Sequence, residues 1–202
     1  TGTGSLSATV ATSGYHTSGN ITLAAISTTG ATITTGSGNL SATVATSGYH
    51  TSGNITLAAI STTGTVTLNT PGTASVVNAV ALDLGASTVG GNLTATASDG
   101  NMIDSGVLAI TGTSAFTTSA NNATITLDTA TNTFTGAVTI TTNDDSDTDG
   151  DVTIIAGAGA ELKFAASTID GDLIATSSHT TGISDTGALT VAGTASFQTS
   201  TA

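Results

Sequence analysis

A thirty-residue block occurs twice in this chain, at an offset of 34. Thr1–Gly30 and Thr35–Gly64 are identical except at Thr3/Ser37 and Ser5/Asn39, and both contain LSATVATSGYHTSGNITLAAISTTG. A unit of this size cannot bury an apolar side by itself. Repetition at a fixed period therefore points to an array in which each unit covers the next. Such a chain is expected to work as an extended surface and not around one pocket. The 34 residues could be one wide turn of the array or two narrow ones of about 17, since repeats of either length are known.

Inside each block apolar residues alternate with Thr and Ser, the period of a half-buried strand. The same opening recurs along the chain: Gly or Asn, one small or polar residue, then the alternation. It appears as GSLSATV from Gly4, GNITLAA from Gly19, GTVTLNT from Gly64, GNLTATA from Gly91, GAVTITT from Gly136 and GDLIATS from Gly171. Gly at these corners allows a change in the sign of φ or relieves a collision between side chains. The spacing between openers is too short for crossover helices, which removes the parallel α/β folds. Hairpin folds want Asn-Gly or Asp-Gly turns, and there are three Asp-Gly pairs and no Asn-Gly. Identical units in register stack like on like, so the expectation is an all-β, right-handed parallel β-solenoid without helices. It should run as one continuous segment over residues 1–202, with 34-residue repeats over 1–64 and a diverged repeat of about 80 residues over 65–202.

That second repeat pairs ASTVGGNLTATAS from Ala86 with ASTIDGDLIATSS from Ala166, and MIDSGVLAITGTSAF from Met102 with ISDTGALTVAGTASF from Ile183. Phe116 and Phe197 close equivalent units. Composition agrees with stacked strands: 48 residues are Thr and 25 are Gly, and 38% of the chain is apolar, too much for a disordered polar chain.

Charge narrows function. The chain has thirteen acids and one base, Lys163, for a net charge of −12. One cation cannot neutralise a phosphate backbone or an anionic bilayer, so neither nucleic acid nor membrane insertion is expected. Residues 1–82 carry no charge at all, which suits a surface that packs against something. With no Cys, disulfides and zinc–thiolate sites are out. The chain starts within a repeat and reads as an internal segment of something longer, or as a processed product.

The phrases ALDLGASTVGGNLTATAS, DSGVLAITGTSAF and DTGALTVAGTASF resemble the repeats of filamentous-haemagglutinin-like and autotransporter-like bacterial surface adhesins, large repetitive proteins with β-helical shafts. The resemblance is best over residues 64–202. It implies export to the bacterial cell surface, an elongated shape, and an adhesive or scaffolding role. Partners are then the chain itself, end to end or side by side, or further repeats of the same protein. The competing expectation is a binding module that recognises glycans or surfaces, or a Thr-rich ice-binding solenoid.

Of local motifs, the acidic run from Asn143 to Asp151 is the sharpest. Asp145, Asp147 and Asp149 at spacing two, followed by Gly150 and Asp151, match the first half of a calcium loop, where alternate carboxylates converge on one hard cation. The twelfth position from Asp145 is Ala156, not the bidentate Glu of an EF-hand, so the competing reading is a solvated acidic turn. No cofactor is required by any motif. Tyr15-His16 and Tyr49-His50 occupy the same repeat position and would stack as surface loops if the 34-residue unit is one coil. Acids on a solenoid face (Asp104, Asp128, Asp170, Asp185) could form a carboxylate pair. The chain lacks the Arg and aromatic residues that hold sugars beside such a pair, and no enzyme activity is expected.

Overall fold

In the computed structural model, Leu6 lies directly beside Leu40 in parallel register, and Ser7, Ala8, Thr9 and Val10 lie beside Ser41, Ala42, Thr43 and Val44. Ile21, Thr22 and Leu23 likewise meet Ile55, Thr56 and Leu57. The 34-residue block is therefore one coil, and like residues stack on like. The structure describes residues 6–10, 21–23, 33–36, 38–44, 53–143 and 149–199, with side chains from Gly38 onward.

Among the described residues there are strands and no helix, and every strand pairing is parallel. The chain alternates between two sheets. One runs from Leu6–Val10 to Ala195–Thr199, the other from Ile21–Leu23 to Ile183–Asp185 and Leu189–Val191. This is a parallel β-solenoid: each coil contributes to both sheets, and backbone hydrogen bonds run along the stack. The antiparallel alternative, with hairpins, does not occur among the described residues. Coil length shortens after the first block, from Leu6↔Leu40 through Leu40↔Val66 to Val66↔Leu84, then grows again through Met102↔Ile125 to Ile125↔Val152. The connections between strands absorb most of these differences, and register shifts within strands, as between Leu57 and Ile60, absorb others.

Alternation does what the sequence pattern requires. In Leu93–Ala97 the Leu, Ala and Ala side chains are buried while Thr94 is exposed. One continuous apolar column runs from Leu40 to Ala175. It is narrow enough that aromatic rings from opposite sheets meet across it. Phe116 and Phe134 pack edge to face with centroids 5.9 Å apart and planes at 79°, the geometry that the ring quadrupole favours.

Two corner devices repeat from coil to coil. The residue just before a strand is often Asn or Asp, and its Oδ1 accepts the N–H of the residue stacked above. Thr65 donates to Asn39 (2.9 Å), Thr73 to Asn54 (2.9 Å), Thr113 to Asn92 (2.9 Å) and Asp172 to Asp151 (2.8 Å). Beside these residues stand columns of glycine. A Cβ on Gly91 would lie 2.9 Å from the carbonyl carbon and oxygen of Gly72 below it, so collision and not backbone sign excludes larger residues there. Positive φ is confined, among described glycines, to Gly100 and Gly182.

The diverged repeat has an unexpected placement. Leu93–Ala97 and Ser114–Thr118 belong to the sheet that ends at Leu189–Val191, whereas their repeat equivalents Leu173–Ser177 and Ala195–Thr199 belong to the other. The offset of 80 spans three full coils (Leu93 to Ser114 to Val138 to Phe164) and half of a fourth. Each full coil is thus two halves, one unbroken strand followed by a pair of short strands, and either sheet accepts either half. The exchange falls between Val138–Thr141 and Val152–Ala156, two unbroken strands in succession that flank the acidic run.

Where an unbroken strand lies under a broken pair, the upper coil has one residue more and the ladder loses a rung. Serine repairs it. Ser87 Oγ accepts the N–H of Leu68 (3.0 Å) and donates to the Gly85 carbonyl (2.8 Å). In the opposite sheet Ser167 Oγ accepts from Ile140 (3.0 Å) and donates to Ala165 (2.9 Å). Both serines are buried. They are repeat equivalents, each the Ser of an Ala-Ser-Thr triplet.

Candidate functional site

The acids and histidines singled out by sequence are distributed along the stack. Asp145 and Asp147 lie outside the described residues, as do Tyr15, His16, Tyr49 and His50. Asp149 and Asp151 are described. Asp151 is exposed, and its Oδ1 is engaged as the corner acceptor for Asp172 N–H, while its own N–H donates to the Asp149 carbonyl at 2.9 Å. Asp172 repeats the device one coil higher, accepting Thr194 N–H at 2.7 Å. That backbone bond, with Thr194's side chain adding to it, holds the Asp172 carboxyl below the ordinary 3.8.

The four acids considered as catalytic carboxylates do not share a cleft. Asp128 and Asp185 are exposed; Asp104 and Asp170 are buried. Asp104 and Asp128 are neighbours only through a side-chain-to-backbone bond: Asp104 Oδ1 accepts Asp128 N–H (2.8 Å). Asp104 Oδ2 accepts Asn132 Nδ2–H (2.6 Å), and Asn132 Oδ1 in turn accepts Leu108 N–H (2.8 Å). Burial raises the Asp104 carboxyl above 3.8, with its hydrogen bonds from Asn132, Thr129 and Asp128 opposing. This buried chain closes the gap between Met102–Asp104 and Leu108–Ile110, doing with Asp and Asn what Ser87 does with a hydroxyl. Nothing in the sequence pattern distinguished Asp104 from a surface acid, because its burial depends on the broken strand.

His179 builds its own turn, its Nδ1 accepting Thr181 N–H at 3.2 Å. Lys163 lies 3.7 Å from Glu161, the ion pair found among the described residues. No group of three or more His, Asp or Glu there converges in a way that could hold a metal.

Shallow depressions dent the surface of the described residues. One of about 360 Å³ is lined by Val44, Asn69, Thr70 and Pro71, and one of about 300 Å³ by Leu82, Asp83, Asn101 and Ile103. Another, about 430 Å³, lies on the upper face of the last described coil, between Phe164, Ile183, Leu189 and Phe197. Phe197 is 49% exposed there, whereas its repeat equivalent Phe116 is fully buried beneath Ile140 of the following coil.

Files of small hydroxyls run along the outer faces, beside exposed apolar side chains such as Ile103 and Ile174. One file of threonine runs straight through five rungs, Thr96, Thr117, Thr141, Thr168 and Thr190. The adjacent file, Thr56, Ser75, Thr94, Ala115 and Thr139, is interrupted at Ala115. No helix among the described residues is long and apolar enough to cross a membrane.

The architecture, stacked coils with structural acids and asparagines at the corners, defines a repetitive β-helical protein. The chain belongs to the family described as repeats of unknown function (DUF5649), which it matches over residues 71–141 and 149–202. No curated protein and no solved structure shows significant similarity to it.

Proposed function

We propose that this chain is a structural segment, a rigid shaft of an exported bacterial surface or matrix fibre of the filamentous-haemagglutinin-like or autotransporter-like kind. The observation that carries the reading is the lengthwise ladder. Among the described residues from Leu6 to Thr199, the strands of each coil pair in parallel with those of the one below, so load along the axis is shared by hydrogen bonds in both sheets. The polar atoms of the corners serve the ladder itself: Asn39, Asn54, Asn92, Asp104, Asp151 and Asp172 all clamp one coil to the next. The work is mechanical and not catalytic, and its setting is extracellular.

The open face at Phe197 is made to be covered by another coil, as Phe116 is. That coil comes from further repeats or from a second copy stacked head to tail. Stacking of unlike ends yields an open filament and not a closed ring. Electron microscopy and fibre diffraction of the purified chain test this. Uniform rods with a repeat of about 4.8 Å along the axis are expected, and Phe197→Asp should shorten or abolish them. Compact particles with no axial order, in the native chain, would refute the shaft.

A second reading, recognition of a flat ligand such as a glycan array or ice, is favoured by the five-rung threonine file. Thermal hysteresis and glycan-array binding by the isolated chain would support it, and their absence leaves the shaft.

A further inference from the structure

At the corner where the two sheets exchange roles, one group is not used by the ladder. Asp170 is 95% buried, being 5% exposed. Its N–H donates to Thr142 Oγ1 (2.8 Å), but its Oδ2 is buried without a hydrogen-bond partner. A buried carboxylate oxygen left bare is costly unless a positive charge or a donor compensates it. Among the described residues neither is at hand: the chain's one basic residue, Lys163, stands beside Glu161.

The stacking register shows what lies next to it. The pairing Val152↔Leu173 continues backwards, with Asp172 clamped on Asp151 and Gly171 against Gly150, where a Cβ on Gly171 would lie 2.7 Å from the Gly150 carbonyl carbon. One step further back, Asp170 lies beside the corner that Asp149 and Gly150 enter: its N–H reaches Thr142 Oγ1, and a Cβ on Gly150 would come within 3.4 Å of Asp170 Cβ. Asp149 and Asp170 thus belong to adjacent coils at one corner, and such coils are spaced about 4.8 Å along the axis. The Asp149 Oδ1 is also shut off from solvent.

Comparison within the chain shows that Asp170 is an addition to the repeat. Its equivalent in ASTVGGNLT is Gly90, where any Cβ would strike the Pro71 backbone, with Pro71 Cα at 3.1 Å. In the later repeat the same position holds a carboxylate.

We propose that Asp170 and Asp149 bind a calcium-type divalent cation across the two coils. A hard cation of this kind takes carboxylate oxygens together with backbone carbonyls and water. It would supply the positive charge that the chain lacks, and would pin the joint at which one unbroken strand follows another.

The test is calorimetric titration of the whole chain with calcium chloride, with magnesium chloride as a parallel arm, and circular-dichroism melting with and without calcium. The native chain should bind calcium saturably and melt at higher temperature in its presence. Asp170→Asn should lose both effects, whereas Asp99→Asn, at an exposed turn remote from this corner, should keep them. Asp170→Gly, the residue of the earlier repeat, is the second variant should the Asn form fold poorly. The proposal is overturned if the native chain shows no saturable calcium binding at millimolar concentration. It is equally overturned if folded Asp170 variants bind as the native chain does, since the ion would then sit elsewhere on the acidic run.

Discussion

Removing the Ser87 hydroxyl should cost the solenoid a rung that no neighbour can restore. Ser87→Ala leaves the Leu68 N–H and the Gly85 carbonyl facing each other across a gap that the extra residue of the upper coil has opened. Both groups are enclosed, Ser87 itself being 2% exposed, so water cannot take over without loosening the corner. An enclosed donor left unmade costs about 1–3 kcal/mol, and the change in apolar area is negligible, so the loss should be about 1–3 kcal/mol. Ser167→Ala breaks the same pair of bonds in the opposite sheet, to Ile140 and Ala165, and should cost a similar amount. The two sites share no partner, and the double variant should be additive to within about 0.5 kcal/mol. Long stacks can lose cooperativity, so denaturant melts should be paired with native-state hydrogen exchange. Amide protection should fall at Leu68 in the first variant and at Ile140 in the second, and in neither case at the other site. A variant that keeps full stability and unchanged exchange at Leu68 would show that the hydroxyl bridge is incidental and that the break is tolerated by other means.

Other expectations follow from the same geometry. Phe116→Ala should cost about 3–5 kcal/mol, as for a buried aromatic, while Phe197→Ala in the dispersed chain should change melting little; a large effect at Phe197 would mean that its face is already covered in solution. Gly91→Val should destabilise by about 2–3 kcal/mol, in the upper part of the ordinary range, because the branched side chain meets the Gly72 backbone; a neutral result in denaturant melts would refute the stacked corner. Asp104 and Asp172 should respond to pH in opposite senses. The Asp104 carboxyl is raised in the fold, so its contribution is fully present below 3.8 and is lost as pH rises through its folded value; that of Asp172 is lowered, so its contribution is present above 3.8 and is lost as pH falls through its folded value. Carboxyl titration by NMR should place Asp104 above and Asp172 below 3.8, and the reverse order would contradict the burial of Asp104.

Much of the fold was legible because the relevant physics is local. Alternation in LSATV fixes which side chains face inward, and identity between Thr1–Gly30 and Thr35–Gly64 fixes what stacks on what. Coil length was not legible, since 17 and 34 residues give the same inward pattern and only the pairing Leu6↔Leu40 decides between them. The change of sheet between the diverged repeats was also hidden. Leu93 and Leu173 have the same neighbours in sequence, and their different places arise from summed corner loops that no local window contains. At the candidate site, the run Asn143–Asp151 drew attention by its density of charge. Asp170, by contrast, has only Asp172 close by in sequence and becomes notable only when folding buries it at the corner that Asp149 and Gly150 enter.

Because the long repeat advances by a half-integral number of turns, copying it does more than lengthen the rod. Each added block would extend the axis by about 17 Å at the usual strand spacing and would carry whatever is attached to its corners round to the opposite flank. A gene that grows by such duplications distributes its surface features alternately on two sides, with no new instruction needed to do so.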